Sequence, residues 1–317
     1  MHVLLAFDGS PAAEAALDAV RAFTWPDGTT IEVTGVSEPS IDYLTPTFSP
    51  TPTLAEADER ARDDLEAILD EAAATLERPG LVVRRTLHVG RPATRLVVAA
   101  QDVGAGLIVV GHRGRGPITS MVLGSVSAEV VDHAPCPVLV VRGPVTGAVL
   151  VAVDGSAPAD AAVTYLVAER FLAGRQVEVI SVAPGTPMPI AYDTTGISDL
   201  AVDAFGRKRR DALDAARTNA EQAARRLRAA GYTVATAADE GDPAHEIREA
   251  ARRFGCDLIV VGSRGLTGLS RMVLGSIARD VLFHAEASVL IVHEPLRVRG
   301  RQPTRGHLVR TGDPVPS

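Results

Sequence analysis

Short apolar runs rich in β-branched residues alternate along the chain with longer stretches in which apolar residues recur at helical spacing. Each half of the sequence contains four such runs and a weaker one, at residues 81–87 and again at 233–237. The longest amphipathic stretches, residues 54–76 and 211–230, are predicted to be helices. Strands that are apolar on both faces and alternate with helices indicate a parallel sheet covered by helices on both sides.

The same series of elements occurs twice in the chain. Residues 4–10 (LLAFDGS) match residues 150–156 (LVAVDGS), which lie 146 positions later. The segment LIVVG at residues 107–111 recurs at 258–262, at an offset of 151, so the second copy is five residues longer between these matches. A repeat of this length indicates two copies of one domain.

We therefore predict two tandem α/β domains, at residues 1–146 and 147–296, each a five-stranded parallel-sheet sandwich of the doubly wound kind. Helices are predicted to begin after Ser10 and after Ser156, because serine is a good helix cap and proline follows in the first turn of each. Residues 297–317 contain five arginines and no periodicity, and we expect a disordered basic tail there.

Composition narrows the class of protein. The chain has 317 residues, 46% hydrophobic content and a formal net charge of −7, which argues against a general nucleic-acid binder. No apolar run approaches the ~20 residues that span a bilayer, and Asp8 interrupts the apolar start of the chain, so we expect a cytoplasmic protein with no membrane partner. Cys136 and Cys256 occupy different positions in the two halves and are expected to be small buried apolar residues.

A glycine-rich segment follows the fourth predicted strand of each half. GHRGRGPITSMVLGS at residues 111–125 and GSRGLTGLSRMVLGS at 262–276 are identical at eight of fifteen positions. In open α/β sheets, ligands bind beyond the carboxyl ends of the strands, where the strand order reverses. Asp8 and Asp154 follow the first strand of each half, so each aspartate and its glycine segment are expected at the same edge of the sheet.

The spacing within these segments predicts an anion site. Gly111 and Gly114 are expected to permit positive φ and a close approach of backbone N–H groups to a ligand. Ser125 and its counterpart Ser276 precede helical stretches and are expected to be N-caps, where free N–H groups and the positive end of the helix dipole attract phosphate. The chain's single lysine, Lys208, lies far from both segments in sequence, which excludes a P-loop.

The pattern Gly-x2-Gly-x9-Gly-Ser resembles the nucleotide-binding signature of the universal stress protein family, and both halves match it in full. The segments AFDGS, AVDGS, LIVVG and HAPCPVLVV are also similar to that family. The resemblance extends to about residue 295 and implies a tandem protein of the ATP-binding subclass. It implies an adenine nucleotide alpha hydrolase-like, Rossmann-like fold in each domain, with ATP and Mg²⁺ as ligands.

The resemblance also implies roles for individual residues. Asp8 and Asp154 would lie by the ribose and a phosphate-bound metal, and Val36 and Val182 against the adenine. The residues expected to bind nucleotide are strand ends, loop residues and first helix residues: Ala6, Phe7, Asp8, Val36, Gly111, Arg113, Gly114, Gly124, Ser125 and Val126 in the first half, and Ala152, Val153, Asp154, Val182, Gly262, Arg264, Gly265, Gly275, Ser276 and Ile277 in the second.

Two departures from the family pattern bear on the sites and on pairing. His112 stands where the second half has Ser263, which affects the phosphate contacts that we expect. The second half lacks the Pro-Cys-Pro of HAPCPVLVV, beside the strand that family members use for dimer contacts. We expect the halves to pack about a pseudo-twofold axis along residues 138–141 and 289–292, because this pairing covers two exposed strand edges. Whole chains are expected to form a homodimer.

Three functions remain open: a nucleotide-dependent regulator of stress or growth with an unidentified protein partner, a slow ATPase or phosphotransferase, and a flavin-binding electron carrier. Arg113 and Arg264 are duplicated in the loops and are candidates for phosphate contacts. No duplicated His or Glu adjoins the loops, whereas His133 and His284 lie near the far end of the following helix and are expected to be structural. The regulator is favoured, with no catalytic residue assigned and at most slow hydrolysis expected.

Overall fold

A computed structural model describes most of the chain. The described residues are 1–39, 52–114, 123–185, 199–263 and 274–293. The expected basic tail at 297–317 and the loop residues Arg264 and Gly265 lie outside these residues.

The first half contains five strands and four helices among the described residues. In chain order these are β1 (His2–Ala6), α1 (Pro11–Ala22), β2 (Thr29–Ser37), α2 (Pro52–Leu76), β3 (Leu81–Val89), α3 (Pro92–Asp102), β4 (Leu107–Gly111), α4 (Ser125–His133) and β5 (Val138–Val141). Ser10 caps α1 as predicted, because its Oγ accepts a hydrogen bond from the Ala13 N–H at 3.2 Å.

The second half repeats this order. Its elements are β6 (Ala148–Ala152), α5 (Ala157–Glu169), β7 (Gln176–Pro184), α6 (Asp199–Ala229), β8 (Thr233–Gly241), α7 (Pro243–Arg253), β9 (Cys256–Gly262), α8 (Ser276–His284) and β10 (Ser288–Val292). The predicted start of α6 at Asp211 is wrong by twelve residues, because the described side chains of its first turns are mostly exposed and polar and so carry no apolar period. No helix in the described ranges has the length and apolarity needed to cross a membrane.

The two halves share one ten-stranded sheet, in the order β3-β2-β1-β4-β5-β10-β9-β6-β7-β8. Within each half all strand pairs are parallel, which confirms the predicted α/β architecture. Helices α1, α2, α5 and α6 pack on one face of the sheet, and α3, α4, α7 and α8 pack on the other. The strands are buried from both sides and therefore show continuous apolar runs in the sequence.

The halves meet where β5 pairs with β10 in the antiparallel direction. Leu139 pairs with Leu290, and these are equivalent residues of the two copies, 151 positions apart. The flanking pairs are Val140 with Val289 and Val138 with Ile291, so the register is symmetric about the leucine pair. The predicted seam along strand five and the pseudo-twofold axis through it are confirmed.

Aromatic rings reinforce this seam on the α1 and α5 face. Trp25 and Phe171, which are equivalent residues of the two copies, stack with ring centroids 5.3 Å apart and planes 15° apart. Phe23 meets Phe171 edge-on at 5.2 Å. The Tyr165 hydroxyl donates a hydrogen bond to the Gly106 carbonyl across the seam at 2.9 Å. The pairing of the halves thus includes a side-chain core of its own as well as the strand ladder.

The two cysteines are buried and unpaired, as predicted. Burial raises the pKa of the Cys136 thiol and of the Cys256 thiol to about 12, so both stay protonated at neutral pH. They act as small apolar side chains in the core under α3, α4, α7 and α8.

The buried aromatic cluster predicts how much the seam contributes to the free energy of unfolding. Replacing Phe171→Ala should lower the free energy of unfolding by about 3–5 kcal/mol, because the ring is fully buried and its contacts with Phe23 and Trp25 would be lost. Equilibrium denaturation in guanidinium measures the loss. Val98→Ala on the exposed side of α3 is the matched control and should change stability by less than about 0.5 kcal/mol. Equal effects of the two substitutions would contradict a structural seam.

Candidate functional site

The strand order reverses between β1 and β4 in the first half, and between β6 and β9 in the second. Such a reversal opens a crevice at the carboxyl ends of the two strands. Asp8 follows β1, and Gly114 follows β4 at the same edge. A Cβ placed on Gly114 would lie 2.9 Å from Asp8 Oδ2. The aspartate and the first glycine loop are therefore brought together, as the sequence predicts.

Each strand-one aspartate is held by its own turn. Asp8 Oδ1 accepts a hydrogen bond from the Ser10 N–H at 3.0 Å, and Asp154 Oδ1 accepts one from the Ser156 N–H at 2.9 Å. This Asx turn fixes the carboxylate, so that in the first half Oδ2 is the oxygen on the glycine-loop side.

The turn between aspartate and serine depends on a glycine that the sequence analysis did not single out. Gly9 has φ 71° and Gly155 has φ 77°, both in the left-handed region. Residues other than glycine rarely adopt this backbone conformation, so the turn requires glycine at the middle position of each DGS segment. The signal was present in the sequence, because aspartate-glycine pairs favour such turns.

The expectation of positive φ at Gly111 and Gly114 is wrong, since neither lies in the left-handed region. Gly111 is instead required by close packing, because a Cβ there would lie 2.5 Å from the Ala12 backbone carbonyl group. Gly262 repeats this contact against Pro158, also at 2.5 Å. These glycines let the end of the fourth strand lie directly against the first turn of α1 or α5.

The N-cap of α4 is Gly124, and the prediction that Ser125 caps this helix is wrong. The Gly124 N–H donates to the His112 carbonyl at 2.8 Å, and a Cβ there would lie 3.2 Å from Arg113 Cα. The loop returns so close to its own start that only glycine fits the cap position without displacing the backbone. Ser125 becomes the first helical residue and is exposed.

The same correction applies in the second half, where Gly275 is the N-cap of α8 and Ser276 is the first helical residue. The Gly275 N–H donates to the Ser263 carbonyl at 2.8 Å, which repeats the contact between Gly124 and His112. Both loops therefore close in the same way, although the residue that accepts the hydrogen bond differs.

Helices α4 and α8 begin without a side-chain cap among the described residues, whereas Ser10, Ser156 and Asp242 cap α1, α5 and α7. The first N–H to bond within α4 is that of Ala128, which donates to the Gly124 carbonyl at 3.0 Å. The N–H groups of the three preceding residues thus lie at the positive end of the helix dipole. Such an end can hold a phosphate or carboxylate.

Small apolar side chains border the crevice on the α3 and α4 face. Ala6, Val36 and Val126 are half-buried and pack against the core on that face. Val182 and Ile277 occupy equivalent places in the second half. A flat apolar group could lie against such a surface without an aromatic partner.

Three further predicted residues, Phe7, Val153 and Ala152, are buried. Phe7 and Val153 belong to the core on the α1 and α5 face, so only their main-chain atoms face the carboxyl edge. The Phe7 N–H and the Val153 N–H are already bonded to Thr34 and Ile180 carbonyls at 2.9 Å each. Any contact that these two residues make to a ligand would therefore go through carbonyl oxygens.

A metal ion would find few protein ligands here. Among the described residues, no group of three or more His, Cys, Asp or Glu side chains is placed to hold one. Asp8 and Asp154 each offer a single carboxylate, so Mg²⁺ bound there would need phosphate oxygens and water as its other ligands.

The two sites differ at the residue after the first loop glycine. Burial, followed by repulsion from Arg142 and Arg113, lowers the pKa of His112, so the imidazole is neutral at pH 7. Its Nδ1 is buried with no hydrogen-bond partner among the described residues, and the same holds for Ser263 Oγ. His133 and His284 instead bond to carbonyls of their own helices at 2.9 and 3.0 Å, which agrees with the predicted structural role.

Comparison with known proteins identifies the family. The model of the universal stress protein family matches residues 1–142 and again 146–293. The chain belongs to the universal stress protein family. A universal stress protein of Thermus aquaticus is 39% identical over 140 residues, which cover 44% of this chain and 97% of that protein. One from Mycolicibacterium smegmatis is 27% identical over 249 residues, covering 74% and 77%.

The fold of both domains together also occurs in a solved structure. The crystal structure of a universal stress protein from Archaeoglobus fulgidus aligns with a TM-score of 0.60 and 21% identity, covering 92% of this chain and 98% of that one. The likeness extends over both halves of this chain and supports the tandem architecture.

Close packing at the loop glycines predicts that they are needed for folding as well as for any ligand. Gly111→Ala should lower the free energy of unfolding by about 1–3 kcal/mol, because its methyl group would overlap the backbone of Ala12. Gly143→Ala is the matched control, since a Cβ at Gly143 meets nothing within 4 Å, and it should change stability by less than about 0.5 kcal/mol. Urea denaturation compares the two, and a neutral Gly111→Ala would contradict the packing role.

Proposed function

We propose that this universal stress protein binds ATP with Mg²⁺ at each of its two glycine loops and acts in the cytoplasm as a nucleotide-dependent regulator of stress or growth. One observation carries the proposal. In both halves, the helix after the glycine loop begins at a glycine and has no side-chain cap. This helix begins at the crevice where the strand order reverses, and an aspartate follows strand one at the same crevice. Two copies keep this arrangement although their loops differ at seven of fifteen positions.

The phosphates are proposed to lie at the N-termini of α4 and α8. The first N–H groups of each helix, together with the Ser125 or Ser276 hydroxyl, would donate hydrogen bonds to phosphate oxygens. Arg113 lies in the loop beside the Gly124 cap, where a guanidinium could pair with phosphate. Arg264 is proposed for the same role in the second half.

The base is proposed to lie against the small apolar surface formed by Ala6, Val36 and Val126, and by the equivalent residues of the second half. Adenine can lie on this surface through apolar contact alone, because its ring is flat and the side chains are short. A flavin ring bound at this sheet would gain binding energy from stacking on an aromatic side chain. The described aromatic cluster around Trp25, however, lies at the seam on the opposite face of the sheet. The adenine nucleotide is therefore favoured over the flavin.

The regulator is favoured over the ATPase or phosphotransferase by the residues that the two loops do not share. His112 and Ser263 occupy one position, so a proton acceptor present in one half is replaced in the other. Apart from Asp8 and Asp154, which are proposed to face Mg²⁺, an acidic pair is repeated one turn into α4 and α8. These residues, Glu129 and Asp280, form ion pairs with Arg91 and Arg248 at 3.0 and 3.5 Å, which disfavours a role as general base. Slow hydrolysis remains the second candidate, because bound Mg²⁺ and amide groups would polarise the γ-phosphate.

The same proposal includes an assembly. Strands β3 and β8 end the ten-stranded sheet, and each has one neighbouring strand among the described residues. An open edge of this kind can pair with another chain. We propose that whole chains form a homodimer and that a regulatory protein partner recognises the nucleotide-bound form.

A charge placed at the two cap glycines tests nucleotide binding. Gly124→Glu combined with Gly275→Glu should abolish ATP binding, because the carboxylates would fill the cap position and repel phosphate. The parent protein should bind about two ATP per chain in calorimetry and release adenine nucleotide when denatured. Gly143→Glu, which adds the same charge at an open position, is the control and should bind as the parent does.

The same proteins separate the candidate functions. A regulator should turn over ATP well below the ~1–10³ s⁻¹ typical of enzymes, and the double glutamate variant should lose any stress or growth phenotype of the parent. A turnover number within the enzyme range that is lost on changing Arg113 and Arg264 would establish the enzyme instead. Flavin absorbance in the released ligand would establish the electron carrier.

The aspartates predict a metal-dependent effect. Asp8→Asn keeps the oxygen that accepts from the Ser10 N–H but removes the charge, so the fold should be unchanged. Binding of Mg²⁺-ATP at the first site should weaken by about tenfold, while metal-free ATP should bind at least as well, because a like charge has been removed. Asp154→Asn should act likewise at the second site. Calorimetry with and without Mg²⁺ measures both effects, and equal weakening in both conditions would argue against a metal contact.

A further inference from the structure

Arg142 and His293 are equivalent residues that directly follow β5 and β10. The His112 N–H donates to the Val141 carbonyl at 2.8 Å, so Arg142 and His112 are the next residues of two neighbouring strands. Arg142 therefore stands at the carboxyl edge of the sheet, beside the start of the first glycine loop.

Arg142 is anchored by the other half of the molecule. Its Nη2 donates a hydrogen bond to the Leu282 carbonyl of α8, and its backbone N–H donates to Ser288 Oγ at 3.1 Å. His293 makes the return contact, with Nε2 3.1 Å from the carbonyl of Val131, which is the residue equivalent to Leu282. Each half thus sends one cationic or imidazole side chain across the seam to the fourth helix of the other.

The two side chains differ in what they have left to donate. Both ring nitrogens of His293 lie 3.1 Å from carbonyl oxygens, Nδ1 from Cys136 and Nε2 from Val131. Arg142 has five N–H groups, and its Nε is buried with no partner among the described residues. The guanidinium consequently keeps both a permanent charge and an unused donor next to the loop.

The surroundings of Arg142 favour an anion. Burial and then repulsion from Arg113 lower the pKa of the Arg142 guanidinium, and burial followed by repulsion from both arginines lowers the pKa of His112. An anion bound beside the two guanidinium groups would reduce this repulsion. The buried, unpartnered Nδ1 of His112 adds a second polar atom in the same space.

We propose that Arg142 is a specificity-determining residue of the first site, where its guanidinium binds the terminal phosphates of a nucleoside triphosphate. The other half holds the guanidinium through the Leu282 carbonyl of α8 and holds the Arg142 backbone through Ser288. The inference rests on the proposed nucleotide site and adds that the two sites are unequal. The second site has His293 at this position and lacks the extra cation. The first site therefore discriminates more strongly between a triphosphate and a monophosphate, and it is complete only while the halves are paired.

Single-site proteins test the inequality. The Gly275→Glu variant keeps only the first site intact, and the Gly124→Glu variant keeps only the second site intact. The first site should bind ATP about tenfold more tightly than the second, whereas AMP should bind both alike, because one charge-assisted contact to the terminal phosphates accounts for the difference. Calorimetry with ATP, AMP and inorganic tripolyphosphate gives the three dissociation constants for each protein.

Replacing Arg142 or His293 with the residue that the other half has at that position gives the matched variants. In the first-site protein, Arg142→His should weaken ATP and tripolyphosphate by about tenfold and leave AMP unchanged. Ser288→Ala, which removes only the anchor of the Arg142 backbone, should weaken ATP by a smaller factor without unfolding the chain. In the second-site protein, His293→Arg should tighten ATP. Thermal melting of each variant confirms that the fold is retained.

The outcomes separate this inference from the proposed function. If the parent binds ATP but Arg142→His and Ser288→Ala bind ATP and AMP with the parent's constants, the role of Arg142 is overturned and the nucleotide site stands. If Arg142→His weakens AMP as much as ATP, the residue is structural and the inference again fails. If the parent binds neither ATP nor tripolyphosphate, both the inference and the proposed function are overturned.

Discussion

The antiparallel pairing of β5 with β10 determines how the rest of the molecule is arranged. Strands within each half are parallel, so reversing direction at the seam places the carboxyl ends of the two halves at opposite edges of one sheet. The two glycine loops consequently face away from each other and cannot share a ligand. Any influence of one site on the other must pass through the seam, which contains the Leu139–Leu290 pair, the Trp25–Phe171 stack and the crossed contacts of Arg142 and His293.

Close backbone approach explains the glycine spacing better than unusual dihedral angles do. Gly111 lies against α1 at a distance that leaves no room for a Cβ. A Cβ on Gly114 would lie 2.9 Å from Asp8 Oδ2 and one on Gly124 would lie 3.2 Å from Arg113 Cα, so a side chain at either position would displace its neighbour. The three contacts together hold the aspartate, the loop and the α4 N-terminus around one crevice. A loop held this way leaves the first N–H groups of the helix without a side-chain cap, and this feature is what makes a phosphate site plausible on physical grounds.

Local chemistry explains what the sequence could predict. The strands and the repeat followed from apolar runs buried on both faces, and the caps at Ser10 and Ser156 followed from neighbouring residues alone. The cap at Gly124 did not, because it is decided by a hydrogen bond to the carbonyl of His112, twelve residues earlier. The roles of Arg142 and Phe171 depend on contacts between the halves, which no local pattern encodes. Roles implied for Phe7 and Val153 fall on side chains that belong to the opposite core.

Comparing the two copies separates what the scaffold needs from what can vary. The strand-one aspartate, its glycine turn and the described loop glycines are the same in both halves. Close packing explains Gly111 and Gly262, and the left-handed backbone conformation explains Gly9 and Gly155. Two of the differences lie together at the ends of strands four and five, where the counterpart of His112 is Ser263 and the counterpart of Arg142 is His293. Ser288, which accepts from the Arg142 N–H, has Pro137 as its counterpart. Because these positions adjoin both a loop and the seam, divergence there changes a site and its link to the other half at once, while the sheet and the crevice stay the same.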